Sequence, residues 1–243
     1  MTKPTRERDI FFCRLMMFAR LLSFLGLSSC ATLPPVTGES GRLREKAAGK
    51  DLEILFIGNS YSFGIPAAFS KLARDNGKKV RIGHSTYGGW SLARHMGNAP
   101  TLKKLRSRDW DIVVIQDYSL NPSRKERERR KLMDPGVRFF AGEARSRGAI
   151  PLLYQTWGRR DGNPELPGDD FYQMTQRVRD GYRAASRNGG GIIIVPAGDA
   201  WERQFKAGRG QELFVEDGSH PSAFGNEITA REFYKVIYGN EPE

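Results

Sequence analysis

Ile54-Leu55-Phe56-Ile57-Gly58-Asn59-Ser60-Tyr61-Ser62-Phe63-Gly64 joins an unbroken apolar run to a turn bounded by glycines. A continuous run such as Leu52–Ile57 suits a strand buried on both faces of a parallel sheet. Gly58 and Gly64 allow a tight turn. Ile65, Phe69, Leu72 and Ala73 then recur at helical spacing and stop before Gly77. Ser60 therefore sits between a first strand and a first helix. In α/β sheets reactive groups collect at the carboxyl ends of the strands, and backbone N–H groups at a helix start stabilise negative charge. Taken alone, Gly-Asn-Ser is a very weak motif, and the better reading of it is a helix-capping serine.

A second segment shifts that balance. Asp217-Gly218-Ser219-His220-Pro221 places an acid three residues ahead of a histidine, at the entrance to a last helix carrying Phe233, Val236 and Ile237. At this spacing one turn can hold the carboxylate against Nδ1 of the imidazole and leave Nε2 facing a serine. A serine hydroxyl needs such a base, and the base needs a third group to fix its tautomer. Ser60, Asp217 and His220 supply one candidate for each role. The other reading of the second segment is a surface turn with a capping Asp.

The rest of the chain repeats the strand–helix alternation. Val80–Ile82, Ile112–Ile115, Ile150–Tyr154 and Ile192–Val195 are further strand-like runs. Phe171, Met174, Val178, Tyr182 and Ala185 mark a helix, with Asp169 or Asp170 as its cap and Gly189 as its stop. The expected fold is a three-layer α/β/α sandwich around a five-stranded parallel sheet, flavodoxin-like in architecture.

The chain has 243 residues and a formal charge of +11. The first thirty residues hold five basic groups against Glu7 and Asp9, a net +3, which leaves +8 on the rest. Much of that excess lies in Ser123–Lys131 and reads as a solvated helix face of mixed sign. With no aromatic interleaving and no nucleic-acid motif, nucleic acid is not an expected partner. The two cysteines, Cys13 and Cys30, precede the globular region, and the three histidines give little material for a metal cluster. No metal and no cofactor are expected, which disfavours metal-dependent phosphate-ester hydrolysis.

Four short blocks in this order resemble the SGNH/GDSL hydrolase superfamily over about residues 51–240. Ile54–Gly64 looks like the first block, Tyr87-Gly88-Gly89-Trp90-Ser91 the second, Asp111–Ser119 the third, and Asp217 with His220 the last. The resemblance implies an SGNH-hydrolase fold, Ser60 as nucleophile, His220 as base and Asp217 as its partner. It implies an oxyanion hole from the N–H of Ser60, a glycine N–H and a side-chain amide. Either Gly88 or Gly89 fits the glycine, and Gly88 is taken. The family's third-block Asn is absent; Gln116 occupies the strand end, with Asn121 a second candidate. Asn59 stands where the usual first block has Asp. That position is outside the triad, and little mechanistic effect is expected there.

Trp90 and Trp157 are candidates to line a pocket, although packing is the commoner use of such aromatics; His84 and His95 read as structural or surface groups. The implied activity is hydrolysis of carboxylic esters, on a small-molecule or glycan substrate. A non-catalytic cell-envelope binding protein on the same fold is the alternative.

Ahead of this region, basic residues up to Arg20 precede Leu21–Leu27 and then Ser28-Ser29-Cys30-Ala31. That order marks a secretory signal, and Leu27-Ser28-Ser29-Cys30 resembles a bacterial lipobox. Translation starting at Met16 or Met17 rather than Met1 would also fit. The expected organisation is a lipoprotein signal peptide over 1–29, a lipidated Cys30 and flexible tether over 30–50, and a catalytic domain over 51–243. The protein would then be lipid-anchored at the bacterial cell envelope, facing the periplasm or the cell surface.

Overall fold

The computed structural model describes residues 38–49 and 51–243. In chain order its elements are α1 (Glu39–Gly49), β1 (Leu52–Gly58), α2 (Ile65–Asp75), β2 (Val80–Thr86), α3 (Leu92–Met96), α4 (Ala99–Arg106) and β3 (Ile112–Ile115). There follow α5 (Glu126–Leu132), α6 (Asp134–Ser146), β4 (Ile150–Gln155), α7 (Phe171–Asn188), β5 (Ile193–Pro196), α8 (Ala197–Lys206) and α9 (Ala223–Tyr238). The five strands form one sheet in the order β2-β1-β3-β4-β5, and every neighbouring pair is parallel.

Strand side chains alternate between two cores, as the pleat requires. Ile54, Phe56, Val114, Leu152 and Tyr154 pack with residues of α1, α2, α8 and α9. Leu55, Ile57, Val113, Ile115 and Leu153 pack on the other face with Leu92, Leu105, Val137, Phe140, Met174 and Val178. Burial on both faces is why these strands read as continuous apolar runs. β2 runs on to Thr86, past the apolar stretch that announces it. As an edge strand it is only partly covered, and its later residues stay polar. Helix punctuation follows the sequence closely. Asp170 caps α7 by accepting from the Gln173 N–H at 2.7 Å, and Gly189 ends it.

Two expectations change. The stretch 38–49 does not act as the end of a tether: it contains α1, whose Leu43 and Ala47 are buried in the first core. Lys46 Nζ reaches Asp111 Oδ1 at 2.9 Å, and Arg145 Nε reaches Glu39 Oε1 at 2.6 Å. Burial of Leu43 alone stabilises this docking by about 1.5–3 kcal/mol. The domain therefore begins before residue 51. The second change lies in Ser123–Lys131. Most of its charges are exposed, but Arg129 is buried and paired with Asp134. The signal peptide, Cys30, Met16, Met17 and the earlier part of the tether lie outside the described residues.

Candidate active site

β1 delivers Ser60 to the carboxyl edge of the sheet. Asn59, extended in backbone, caps a single 3₁₀ turn over Ser60–Ser62, its Oδ1 accepting the Tyr61 N–H at 3.1 Å. That cap takes the second N–H of the turn. The Ser60 N–H is the first, and no residue of the turn itself can satisfy it. Ser60 is half-buried.

The second segment arrives as a short hairpin loop, closed by an antiparallel bridge between Phe214 and Pro221 and by the Val215 N–H donating to His220 O. Gly218 makes the bend at φ 62°, a left-handed conformation that suits glycine. Its carbonyl accepts the Arg160 N–H at 2.7 Å, and Trp157 Nε1 donates to Ser219 O at 3.1 Å. The loop is thus held to the chain that follows β4. Asp217 Oδ1 accepts from the N–H groups of Ser219 and His220 at 2.8 and 2.9 Å, and Oδ2 accepts from His220 Nδ1 at 2.5 Å. Nε2 is left as the acceptor. It lies 2.8 Å from Ser60 Oγ, across 160 positions of sequence. Burial by itself would raise the Asp217 carboxyl, but the ring and backbone N–H groups outweigh it and hold the carboxyl below its ordinary range.

Behind Ser60 the arrangement differs from the sequence reading. Gln116 is fully buried. Its Oε1 accepts the Asn59 N–H at 2.8 Å and the Ser62 hydroxyl at 3.1 Å, while Nε2 donates to the Asp117 carbonyl. The expected amide donor to a bound oxyanion is therefore turned into the protein, where it braces the Ser60 turn. The extra methylene of Gln lets the amide fold back beneath β1, a path that requires Gly58: a Cβ there would stand 2.4 Å from Gln116 Oε1. Asn121 is also buried, and its Nδ2 donates to Asp117 Oδ2 at 3.1 Å.

Sequence reasoning missed Asn59 and Asp117. Asn59 Nδ2 donates to Trp90 O at 3.0 Å and to Asp117 O at 3.3 Å, so one side chain ties the Ser60 turn to two neighbouring loops. Asp117 accepts the Leu92 N–H at 2.8 Å and fixes the start of α3. The available signal for Asn59 was its difference from the Asp of the first block that the sequence resembles. Asp117 carries no such mark.

Gly88 and Gly89 form an exposed turn closed by the Trp90 N–H donating to Tyr87 O, and only Gly89 is left-handed, at φ 70°. Trp90 is half-exposed and stacks on Tyr87 at 4.3 Å. Trp157 is fully buried, stacked between Tyr61 and Trp201. Its role here is packing. His95 is buried, its Nε2–H donating to Gly58 O at 2.8 Å, and burial pulls its pKa down. It supports β1 as a neutral ring, while His84 is exposed.

Burial raises the Asp117 carboxyl to about 6, against hydrogen bonds from Leu92, Asn121 and Tyr118 that favour the ionised form. A folded-state pKa above the unfolded one means the folded protein holds an extra proton in between. This contribution to stability is complete below about pH 4 and is lost as pH rises through about 6, an effect of about 2–3 kcal/mol. Asp117→Asn removes it, because Asn121 can turn its amide over to pair with the new side chain. Urea unfolding between pH 4 and 7 should show a flatter stability curve for the variant; parallel curves would contradict the assignment.

No protein-family model matches this chain, and no curated protein matches it in sequence. Solved structures do match. A DUF4886 family protein from Bacteroides uniformis superposes with a TM-score of 0.68 at 20% identity, covering 79% of this chain and 84% of its own. Axe2, an acetylxylan esterase from Geobacillus stearothermophilus, gives 0.61 at 19%, covering 79% and 96%. TesA gives 0.56 at 18%, covering 77% and 98%. The chain has the SGNH-hydrolase fold. At these identities the likeness concerns architecture: the parallel sheet and its two helical layers are common to the set.

Proposed function

We propose that the protein is a serine esterase that hydrolyses carboxylic esters, with acetylated carbohydrate as its substrate class. The observation that carries the proposal is the relay from Ser60 Oγ through His220 to Asp217, with both hydrogen bonds in range. His220 Nε2 takes the Ser60 proton as Oγ bonds to the ester carbonyl carbon. The N–H groups of Ser60 and Gly88 receive the developing oxyanion, each donor worth about 3–4 kcal/mol of barrier. His220 then gives the proton to the departing alkoxide, which leaves as alcohol. Water repeats the sequence on the acyl-enzyme and releases the acid. Gln116 is a positioning residue in this scheme, acting through Asn59 and the Ser60 turn.

Two observations favour carbohydrate. The half-exposed Trp90–Tyr87 pair flanks the glycine turn, with the Arg94 guanidinium over the Trp90 ring at 4.5 Å, and together they offer an aromatic edge and a cation against which a sugar can pack. An acetylxylan esterase shares the fold, and catalytic mutants of that enzyme replace a serine and an aspartate. The test is turnover of p-nitrophenyl acetate and of acetylated xylo-oligosaccharides. Wild-type hydrolysis that Ser60→Ala abolishes supports the reading; equal rates in the two proteins reject it.

The N-terminal segment belongs to the same proposal. Cys30 becomes the lipidated N-terminus, and the chain up to α1 spans the gap between the envelope membrane and the domain. Cys30→Ser should move the protein from the membrane fraction to the soluble fraction, as read by immunoblot. Unchanged fractionation would remove the anchor from the proposal.

A further inference from the structure

A cavity of about 670 Å³ opens between the turn at 121–123, α5, the loop at 163–166 and α7. Ser60, Asp217 and His220 are not among its lining residues. Its volume falls within the range of small-ligand sites. One wall is the charged run Ser123–Lys131.

Three guanidinium groups line this cavity in the same unusual state. Arg124 gives its Nη2 to Glu165 at 3.1 Å and its Nη1 to Glu128 at 3.5 Å. Arg177 gives Nη2 to Asp169 at 2.5 Å, and Arg129 gives Nη1 to Asp134. Each guanidinium thereby holds a carboxylate and leaves one nitrogen without an acceptor. Arg124 Nε, Arg129 Nη2 and Arg177 Nε are buried with no acceptor among the described residues. Arg129 as a whole is only 2% exposed. An unsatisfied buried donor is costly, more so when charged, so chance seldom collects several around one space. Planar guanidinium donors match carboxylate and phosphate oxygens.

The carboxylates that line the same cavity narrow the ligand further. Glu128, Glu165 and Asp180 are acceptors that would repel a simple polyanion but suit hydroxyl groups. Pro122, Leu166 and Ala184 supply apolar surface for the C–H face of a ring. We infer that this cavity is a second binding site, separate from the Ser60 centre, for a saccharide that carries a carboxylate or a phosphate. The guanidinium N–H groups hold the acid, and the carboxylates accept from the ring hydroxyls.

Calorimetric titration of the Ser60→Ala protein at low salt tests this, with glucuronate, glucose 6-phosphate and neutral glucose as probes. Saturable binding of one or both acids at millimolar concentration is expected, with none for glucose. The preference between the two acids identifies the recognised group. Arg124→Gln should weaken binding about tenfold or more, the loss of a charge-assisted hydrogen bond. Ala184→Phe, at a half-exposed position of α7, should block the cavity without removing a charge, so a misfolded Arg124 variant leaves the question answerable. No saturable binding of either acid, equal affinity for glucose, or affinities unchanged in the folded variants would overturn the inference.

Discussion

His220→Ala is expected to lower kcat/KM for p-nitrophenyl acetate by about 10⁴-fold or more, with Ser60→Ala falling as far and the double variant falling no further. The reason for non-additivity is mechanical. In the proposed reaction the imidazole acts only on the Ser60 proton, and the hydroxyl is a weak nucleophile unless that proton leaves, so removal of either group forfeits the whole step. Asp217→Asn should cost less than either. The carboxylate side chain is 48% exposed, and water can replace part of its hold on Nδ1, whereas nothing replaces the base. A loss of about 10²–10⁴-fold is the corresponding expectation. Thermal unfolding separates this from collapse of the fold, since His220 and Asp217 meet at the surface and all the variants should unfold near the wild-type temperature. Losses that multiply in the double variant would mean that Ser60 and His220 act independently, and the relay would be the wrong description.

The sequence displayed those features that depend on local pattern. β1, β3 and β4 are runs buried on both faces, so their identity needs no knowledge of partners. Ser60 and His220 were visible because turn chemistry and short spacing mark them. What stayed hidden depends on contacts between distant segments. The apolar stripe of α1 is only Leu43 and Ala47 within a charged stretch, and it declares a helix only once α9 and the sheet are there to cover it. Gln116 stands at the strand end where an oxyanion donor was expected, yet its amide direction is decided by Asn59, Ser62 and the Asp117 carbonyl. Residue type could not reveal that choice. Ser123–Lys131 likewise read as a solvated face because helical spacing cannot show that Asp134 and α7 enclose Arg129.

Asn59→Asp should be the most damaging conservative change outside the relay. Asp and Asn are nearly the same size, but here the side chain donates twice, to Trp90 O and Asp117 O, and only its oxygen serves as the cap of the turn. An ionised carboxylate would keep the cap and turn its second oxygen on two carbonyls, in a site that is 2% exposed. Two acceptors would lose their donor at about 1–3 kcal/mol each, with an uncompensated buried charge added. The introduced group escapes part of that cost by holding a proton, which restores one donor. Its folded pKa is then raised, so the variant should lie closest to wild type in acid and fall behind as pH rises. A deficit of about 2–5 kcal/mol at pH 7 in urea unfolding is the expected size. Activity should fall as well, by about 10²-fold, because the Ser60 turn loses its ties to the glycine loop and to the end of β3. The decisive comparison sets Asn59→Asp against wild type at pH 5 and pH 7. Equal stability and equal kcat/KM at pH 7 would show that the two donated hydrogen bonds do not hold the site together, and that the loops around Ser60 are fixed by their own packing.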